Sequence, residues 1–426
     1  MKDDTDTMFA VKEAVKRVAE NHKCLRVTIV EQGGTPGMRY SDNEITISER
    51  VTDDLAAESS RLIEPFDLAR GPLYRFVILR SPQGCAFFFD IHHIVFDGTS
   101  VTAFLDQIAR AYEGEEIPVE GLNLFDVALS ETGLQESEAY HDAQEFFKNR
   151  LDGVECDSAP VPDVIAPDED DEVRAEHVEL AAEGIDAEAV SHFARTHGIT
   201  ENTLFGSAFA YTLAKINAAR YSCFCTVDNG RHDHRLADAV GMFVRTFPLY
   251  TEIDEQRTVA QFLRESQEVL MGSMAHDCIS FGELASLYGV GMSVTFVYQA
   301  EMFVGPHMAG GTLDVAKLST RDIQSDLHFM LFRSGAGYCL NVGFRTKLYS
   351  QGFVARFAAM YLQVVRGMLS AHILADVPLA DDAAQRDIHD FNLTEVPYET
   401  ETTVVNLFRH QAATTPDNPC LVYQEK

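Results

Sequence analysis

The chain has 426 residues, of which 46% are hydrophobic and 23% are charged, a composition typical of a globular protein with room for two lobes. Its formal net charge of −32 argues against binding to nucleic acid and against adhesion to an anionic membrane. The eight cysteines are too few for a disulfide framework and no apolar run could span a bilayer, so we expect reduced thiols and a cytoplasmic location.

The predicted elements begin with a helix and two short strands. Residues 7–25 carry apolar side chains at helical spacing, which predicts an amphipathic helix. One strand is predicted for residues 25–30 and a second for residues 45–47, with a turn at Gly33 and Gly34 between them.

Two histidines and an aspartate stand between the next strand and the next helix. Residues 73–79 alternate in hydrophobicity and residues 85–91 form an apolar run, so both are predicted to be strands. A helix is predicted from Thr99 onward because apolar residues then recur on one helical face. The segment HHIVFDG, residues 92–98, joins the second of these strands to the helix.

Three interpretations of this segment follow from its residues alone. Paired histidines before a turn are commonly core residues. A metal site is the second interpretation, but neighbouring strand residues point to opposite faces, so only one histidine could face a given cavity. The third is catalysis by an imidazole near neutral pKa. Asp97 could then orient the loop or an arginine, and Gly98 would let the backbone approach a substrate.

The chain continues with strands flanked by helices. A helix is predicted for residues 135–151, and the acidic, proline-rich residues 159–171 are predicted to form a solvated, mobile linker between two lobes. The elements predicted for the second lobe are strands at 172–180, 221–227, 293–299, 326–332 and 337–344, and helices at 187–196, 203–218, 259–274 and 351–369.

Several motifs resemble those of one enzyme family. HHIVFDG matches the pattern HHxxxDG, and FDLARGPL, residues 66–73, matches FDLxxGPL. Residues 21–27, NHKCLRV, are similar to RHExLRT, with Arg26 at its second arginine.

Two further motifs lie in the second lobe. Gly230 and Arg231 are followed by GMFVRTFPL, residues 241–249, which resembles a GR pair followed by GxFVNTxPL. HDCISFGEL, residues 276–284, is similar to HQDYPFExL. Over nearly its whole length the chain thus resembles the condensation domains of nonribosomal peptide synthetases, which belong to the chloramphenicol-acetyltransferase-like acyltransferases.

The sequence departs from that family pattern at several places, of which three bear on the site or on the extent of the chain. Arg245 stands where the family usually has asparagine, and its guanidinium could reach a phosphate or carboxylate or simply face water. The basic loop RDxSRNPLF that usually precedes the strand at 293–299 is missing. Nothing before residue 7 matches the family's SxAQxRxW-like segment, so we interpret the chain as truncated at its N-terminus.

The resemblance implies an α/β (α+β) fold with two chloramphenicol-acetyltransferase-like lobes in a V, each a mixed sheet flanked by helices. The implied N-terminal lobe is residues 1–171, without its first strand, and the implied C-terminal lobe is residues 172–370. A linker at 371–400 would lead to residues 401–426, which look like the start of an adenylation domain with a helix at 404–412 and a strand at 415–423.

The resemblance also implies a reaction. An acyl or aminoacyl thioester on one carrier domain would be joined to the amine of an aminoacyl group on another carrier domain. His93 is then the implied catalytic residue, either as a general base or as a hydrogen-bond anchor for the amine, and the Gly98 backbone approaches the thioester. His92 and Asp97 are expected to be structural, with Asp97 in a buried salt bridge to Arg26 or Arg231.

The same resemblance gives expectations for the substrate channel and the partners. Gly241, Phe243, Arg245 and Thr246 are expected to line the channel. We expect no intrinsic cofactor and no metal, since phosphopantetheine would arrive on partner carrier domains. The expected partners are peptidyl or acyl carrier domains and the adjoining adenylation domain, and neither nucleic acid nor membrane.

Two other classes of function stay open. A non-catalytic scaffold would dock carrier domains without turnover, because the missing N-terminal residues could have removed activity. A stand-alone acyltransferase would use a free alcohol or amine as acceptor, but the adenylation-like tail argues against it. An epimerisation domain shares the paired histidines, yet would not normally be followed by the start of an adenylation domain.

Overall fold

The computed structural model describes residues 5–82, 84–165, 174–300, 305–308, 311–312, 314–316, 323–397 and 402–422. The chain divides into two compact units, Met1–Leu379 and Ala380–Lys426. The first unit contains all the strands found among the described residues, together with every residue predicted to belong to the site.

The N-terminal part of the first unit has five helices and five strands among its described residues. The helices are α1 (Thr5–Asn21), α2 (Leu55–Arg61), α3 (Gly98–Tyr112), α4 (Leu124–Glu131) and α5 (Glu138–Leu151). The strands are β1 (Val27–Gln32), β2 (Thr35–Tyr40), β3 (Ser48–Val51), β4 (Tyr74–Ser81) and β5 (Gly84–Ile91). The strand predicted at 45–47 is wrong, because the turn at Gly33 and Gly34 closes a tight hairpin in which β2 pairs with β1.

The strands that carry the predicted site belong to a three-stranded sheet. β4 lies at its centre, parallel to β3 and antiparallel to β5. Phe76 and Ile78 of β4 pack in the cluster that contains α1 and α3, whereas Val77 and Leu79 pack against residues of α2 on the other face. Because β4 is covered on both faces, its central residues, Phe76–Leu79, are all apolar.

The C-terminal part of the first unit is built on a six-stranded sheet. The strands of this part are β6 (Ala175–Ala181), β7 (Tyr221–Asp228), β8 (Arg245–Glu252), β9 (Val294–Gln299), β10 (His307–Met308), β11 (Gly311–Thr312), β12 (Leu327–Ser334) and β13 (Gly337–Arg345). The helices are α6 (Ala187–His197), α7 (Glu201–Ile216), α8 (Val259–Ala275), α9 (Phe281–Tyr288) and α10 (Gln351–Met368). The sheet order β6-β13-β12-β9-β7-β8 contains parallel and antiparallel pairs, which confirms the predicted mixed sheet.

Aromatic side chains dominate the core between this sheet and its helices. Phe209 of α7 lies with its ring centre 5.0 Å from that of Phe296 on β9 and 4.8 Å from that of Phe329 on β12. Helix α7 is buried along most of its length, as its small, apolar residues predict. This packing fixes the position of β9, whose last residue is Gln299.

The two parts of the first unit interpenetrate. Tyr140 and Phe147 of α5 pack with Cys223 and Cys225 of β7. Met308 of β10 in turn packs in the N-terminal core, in contact with α3. The lobe boundary predicted at residue 171 stays a prediction, because it falls outside the described residues.

The segment predicted to be a mobile linker is anchored where the structure describes it. Pro160 accepts a hydrogen bond from the Tyr349 hydroxyl at 2.9 Å, and Val164 donates one to Leu348 at 3.2 Å. Asp163 accepts a hydrogen bond from the Ser350 backbone amide at 2.8 Å. Residues 159–165 are therefore held at the start of α10, and the rest of the predicted linker, 166–171, lies outside the described residues.

The second unit contains α11 (Asp382–Phe391) and α12 (Val404–Thr414). Helix α12 confirms the helix predicted at 404–412, but no strand forms over residues 415–422, since no described segment pairs with them; Tyr423 lies outside the description. Leu374 and Val377 are buried in the C-terminal core, so the first unit continues beyond the predicted start of the linker at 371. Among the described helices none has the length and apolarity needed to cross a membrane.

Candidate active site

The HHIVFDG segment connects β5 to α3, as the sequence predicts. Asp97 is the N-cap of α3: its backbone is extended, and its carboxylate accepts a hydrogen bond from the Ser100 amide at 2.8 Å. A short acidic side chain at this position satisfies one of the amides that a helix start leaves unpaired. The cap sets where α3 begins, at the end of the HHIVFDG segment.

The Asp97 carboxylate is buried and paired with Arg231. The two oxygens of Asp97 accept hydrogen bonds from Nη1 and Nη2 of Arg231 at 2.9 and 3.0 Å. A further hydrogen bond arrives from the Phe243 amide at 2.9 Å. The side chains of Asp97 and Arg231 are 0% and 4% exposed, so each charge depends on the other for compensation.

Ser100 extends this network to the loop before β8. Its hydroxyl lies 2.8 Å from the Gly241 carbonyl oxygen, to which it donates, and accepts hydrogen bonds from the Gly241 amide at 2.9 Å and from Arg231 Nη2 at 3.0 Å. The Asp97 amide also donates to the Gly241 carbonyl, at 3.2 Å. We call these five residues, Asp97, Ser100, Arg231, Gly241 and Phe243, the Asp97–Arg231 network.

Arg26 is not part of that network, although the sequence left it as a possible partner of Asp97. Its guanidinium donates to Asp42 at 3.1 Å and to the Glu20 carbonyl at 2.9 Å, and it lies 5.3 Å from the centre of the Tyr40 ring. The expectation that Arg26 is a structural residue of the site is therefore wrong. Arg26 ends the 3₁₀ turn Lys23–Arg26, directly before β1, and this place brings it against the β1–β2 hairpin instead.

The two histidines of the motif differ in their surroundings. Nδ1 of His92 accepts a hydrogen bond from the Ile94 amide at 3.0 Å, and its ring meets the Phe66 ring edge-on with centres 5.8 Å apart. His93 is exposed, and its imidazole has no hydrogen-bond partner among the described residues. His92 thus contacts its own loop and Phe66, while the His93 side chain is exposed to solvent.

Phe66, the first residue of the FDLARGPL motif, contacts both His92 and Arg75. The Arg75 guanidinium lies 3.8 Å from the centre of the Phe66 ring and donates to Asp90 at 2.6 Å. Burial raises the pKa of Asp90, although the facing guanidinium opposes the shift. Arg75 and Phe66 therefore support the ring of His92 from the side of β4 and β5.

The pKa of His92 gives a testable pH dependence. Burial and the nearby charge of His93 lower this pKa below its ordinary value of 6.5, with Asp90 opposing them. Because the native state then binds fewer protons than the unfolded chain, His92 contributes stability that is present above its unfolded pKa and is lost as the pH falls towards its native pKa.

We expect His92→Asn to lose less free energy of unfolding than the wild type when the pH falls from about 7 to about 5. Urea unfolding at several pH values measures this difference, with His141→Asn, at an exposed position of α5, as the control. Identical pH dependence in His92→Asn and wild type would contradict the assignment.

Two of the four residues expected to line the channel are buried. Phe243 is 3% exposed and packs in the N-terminal core, and the backbone of Gly241 is enclosed by the Asp97–Arg231 network. The expectation that Gly241 and Phe243 line the channel is therefore wrong, because both residues contact the N-terminal part of the unit instead. Thr246, opposite Val227 in β7, is half-buried, and its place in the channel stays a prediction.

Arg245, the departure from the family pattern, pairs with a carboxylate of this same chain. Its guanidinium donates to Glu131, the last residue of α4, and both side chains are partly exposed, at 33% and 37%. The sequence left open whether the Arg245 guanidinium reaches a phosphate, a carboxylate or water, and in the structure it pairs with the carboxylate of Glu131. The guanidinium charge is thereby compensated within the protein.

Gly230 holds the loop that carries Arg231. Its backbone has a φ of +64°, in the left-handed region, and a Cβ atom there would overlap the Phe243 carbonyl oxygen. We expect Gly230→Ala to lower the free energy of unfolding by more than about 2 kcal/mol, because it adds both strain and a clash with backbone.

Chemical unfolding measures this loss, and Gly198→Ala is the matched control. Gly198 has a φ of +67° at the end of α6, but no atom lies within 4 Å of the position that a Cβ atom would take there. The control thus reports the strain alone, which costs about 1–2 kcal/mol. Equal losses in the two variants would show that the contact with Phe243 relaxes freely.

Two residues of this region were not singled out by the sequence. Ser100 had a local signal, since it lies three residues after the N-cap Asp97. Gln299 had no such signal in the sequence. In the structure it ends β9, and its Nε2 atom lies 4.0 Å from the position that a Cβ atom of Gly98 would take. As for metals, the described ranges hold no group of three or more His, Cys, Asp or Glu side chains placed to bind an ion.

The fold and the HHxxxDG segment together define a two-lobed α/β protein, and comparison with known proteins identifies its family. The family model described as Condensation domain matches residues 3–388. The chain belongs to the condensation domain family.

The curated relatives are long synthetases. Surfactin synthase subunit 1 of Bacillus subtilis (strain 168) is 24% identical over 432 residues, covering 97% of this chain and 12% of that protein. Tyrocidine synthase 2 of Brevibacillus parabrevis is 25% identical over 448 residues, with the same two coverages of 97% and 12%. The chain therefore spans about an eighth of the length of each of these two relatives.

Solved structures confirm the two-lobed chloramphenicol-acetyltransferase-like fold. The X-domain from teicoplanin biosynthesis superposes with a TM-score of 0.75 at 20% identity, covering 88% of this chain and 90% of that one. A four-domain nonribosomal peptide synthetase bound to AMP and glycine gives a TM-score of 0.74 at 17% identity, covering 97% of this chain and 34% of that one.

Proposed function

We propose that this chain catalyses amide bond formation between two substrates tethered to carrier domains. The donor is an acyl or aminoacyl thioester and the acceptor is the amine of an aminoacyl thioester. The observation that supports the proposal is the complete HHxxxDG segment, in which Asp97 is buried and paired while His93 is exposed without a hydrogen-bond partner among the described residues. The site thus combines a fixed loop with a free imidazole.

The proposed chemistry is an aminolysis of the thioester. The acceptor nitrogen forms a bond to the thioester carbonyl carbon, the carbon–sulfur bond breaks, and the proton lost by nitrogen ends on the donor thiol. His93 acts on the amine, as a general base or as the hydrogen-bond anchor that orients it. The Gly98 backbone borders the thioester, and positioning of the two tethered substrates supplies much of the rate enhancement.

The proposed partners follow from the same reaction. Phosphopantetheine reaches the site as the arm of each carrier domain, and the chain needs no cofactor of its own. We propose that the second unit begins an adjoining adenylation domain. Its helices α11 and α12 have no buried residue, and large apolar side chains such as Phe391 and Phe408 are exposed by 84% and 56%.

The test is a reconstituted condensation. Donor carriers loaded with acyl or aminoacyl thioesters are mixed with an aminoacyl-loaded acceptor carrier and the purified chain, and the acceptor is weighed by intact-protein mass spectrometry. The expected result is an acceptor whose mass increases by the donor acyl group. A folded chain that gives no product with a panel of donors and acceptors would overturn the proposal.

A second candidate is a docking scaffold without turnover. One observation favours it: a structural neighbour with a TM-score of 0.73, at 21% identity, is the X-domain in complex with OxyB from teicoplanin biosynthesis, so a protein with this fold also binds another protein. Titrating labelled carriers into the chain separates the candidates. Carrier binding with no condensation would favour the scaffold, whereas product formation would exclude a purely structural role.

A further inference from the structure

Gln299 brings a neutral amide from the C-terminal part to the HHxxxDG loop. It is the last residue of β9, it is exposed, and it has no hydrogen-bond partner among the described residues. Its Nε2 atom lies 4.0 Å from the position that a Cβ atom of Gly98 would take, so the amide faces the first residue of α3. A free donor thus stands opposite the backbone that borders the proposed thioester.

The reaction creates a need for such a donor. When the amine attacks, negative charge develops on the carbonyl oxygen of the thioester, and a fixed hydrogen-bond donor aimed at that oxygen lowers the barrier. The two cations of the neighbouring loop and strand are already compensated, since Arg231 pairs with Asp97 and Arg245 pairs with Glu131. With a formal net charge of −32, the rest of the chain does not favour an anionic oxygen either.

We propose that the side-chain amide of Gln299 donates a hydrogen bond to the carbonyl oxygen of the donor thioester during the transfer. This assignment rests on the proposed condensation activity and adds a substrate-contacting residue to it. Gln299 exchanges no proton: the nitrogen–carbon bond forms, the carbon–sulfur bond breaks, and the thiol receives the proton that the amine loses. The role of Gln299 is to hold the oxygen while it carries charge.

The test compares single-turnover rates of Gln299→Ala, Gln299→Glu and wild type with both carriers loaded. We expect Gln299→Ala to lower the rate by about 10²-fold, the effect of removing one oxyanion donor. Gln299→Glu should lower it at least as far, because a carboxylate accepts hydrogen bonds and repels the oxyanion. Carrier dissociation constants and the unfolding temperature should not change, because Gln299 is exposed. Gln351→Ala, at an exposed position of α10, is the control and should match the wild type.

Each other outcome has a definite meaning. Rates of both Gln299 variants within twofold of the wild type would overturn the assignment while leaving the condensation activity established. A rate lost in Gln299→Ala but kept in Gln299→Glu would show that the residue accepts a hydrogen bond, which also overturns it. Absence of product with the wild type would instead remove the proposed function, and the assignment with it.

Discussion

His93→Ala is expected to lower the rate of amide formation by about 10²–10⁴-fold, the range that a positioned acid–base group contributes. The imidazole is exposed at the loop between β5 and α3 and makes no hydrogen bond with the described part of the protein. Its removal therefore takes away a group that can act on the amine without disturbing the packing around it. The unfolding temperature of the variant should equal that of the wild type.

Rapid quenching followed by intact-protein mass spectrometry of the acceptor carrier measures the rate. The matched control is His141→Ala, which removes an exposed imidazole from α5 and should leave the rate unchanged. A folded His93→Ala variant that condenses at the wild-type rate would remove His93 from the mechanism. Such a result would leave positioning of the two carriers and stabilisation of the thioester oxygen as the sources of catalysis.

Arg231→Ala is expected to lower the free energy of unfolding by about 3–5 kcal/mol, because it leaves the Asp97 carboxylate buried without its counter-charge. The Asp97 side chain is 0% exposed, and the bidentate pair joins the motif loop to the loop before β8. Activity should fall with stability, since the same pair fixes the loop that carries His93. Urea unfolding and the condensation rate measure the two effects.

Two comparisons isolate the cause of that loss. Arg245→Ala breaks a partly exposed pair with Glu131 and should cost no more than about 1 kcal/mol. Combining Arg231→Ala with Asp97→Asn removes the buried, unpaired charge of the Asp97 carboxylate and should recover part of the free energy of unfolding. If Arg231→Ala proved no more destabilising than Arg245→Ala, the buried pair would not hold the two parts together.

Local sequence patterns predicted most elements and the core of the site. The strand at 85–91, the helix from Thr99 and the turn between them follow from hydrophobic periodicity and from the Asp-Gly pair, and β5 and α3 form as expected. The two wrong strand predictions also have physical causes. No strand forms at 45–47, because β1 pairs instead with β2 across the turn at Gly33 and Gly34. No strand forms at 415–422, because no described segment pairs with these residues.

The sequence by itself determined the local structure of HHIVFDG, because a strand end and a helix N-cap depend on residues only a few positions apart. Only the tertiary structure decided that Asp97 pairs with Arg231, 134 positions away, and that Ser100 meets Gly241, 141 positions away. It also decided that Arg26 turns to Asp42 and that Gln299 faces Gly98. Such choices depend on how two sheets pack across a shared interface, and no local periodicity encodes the distance between segments so far apart in the chain.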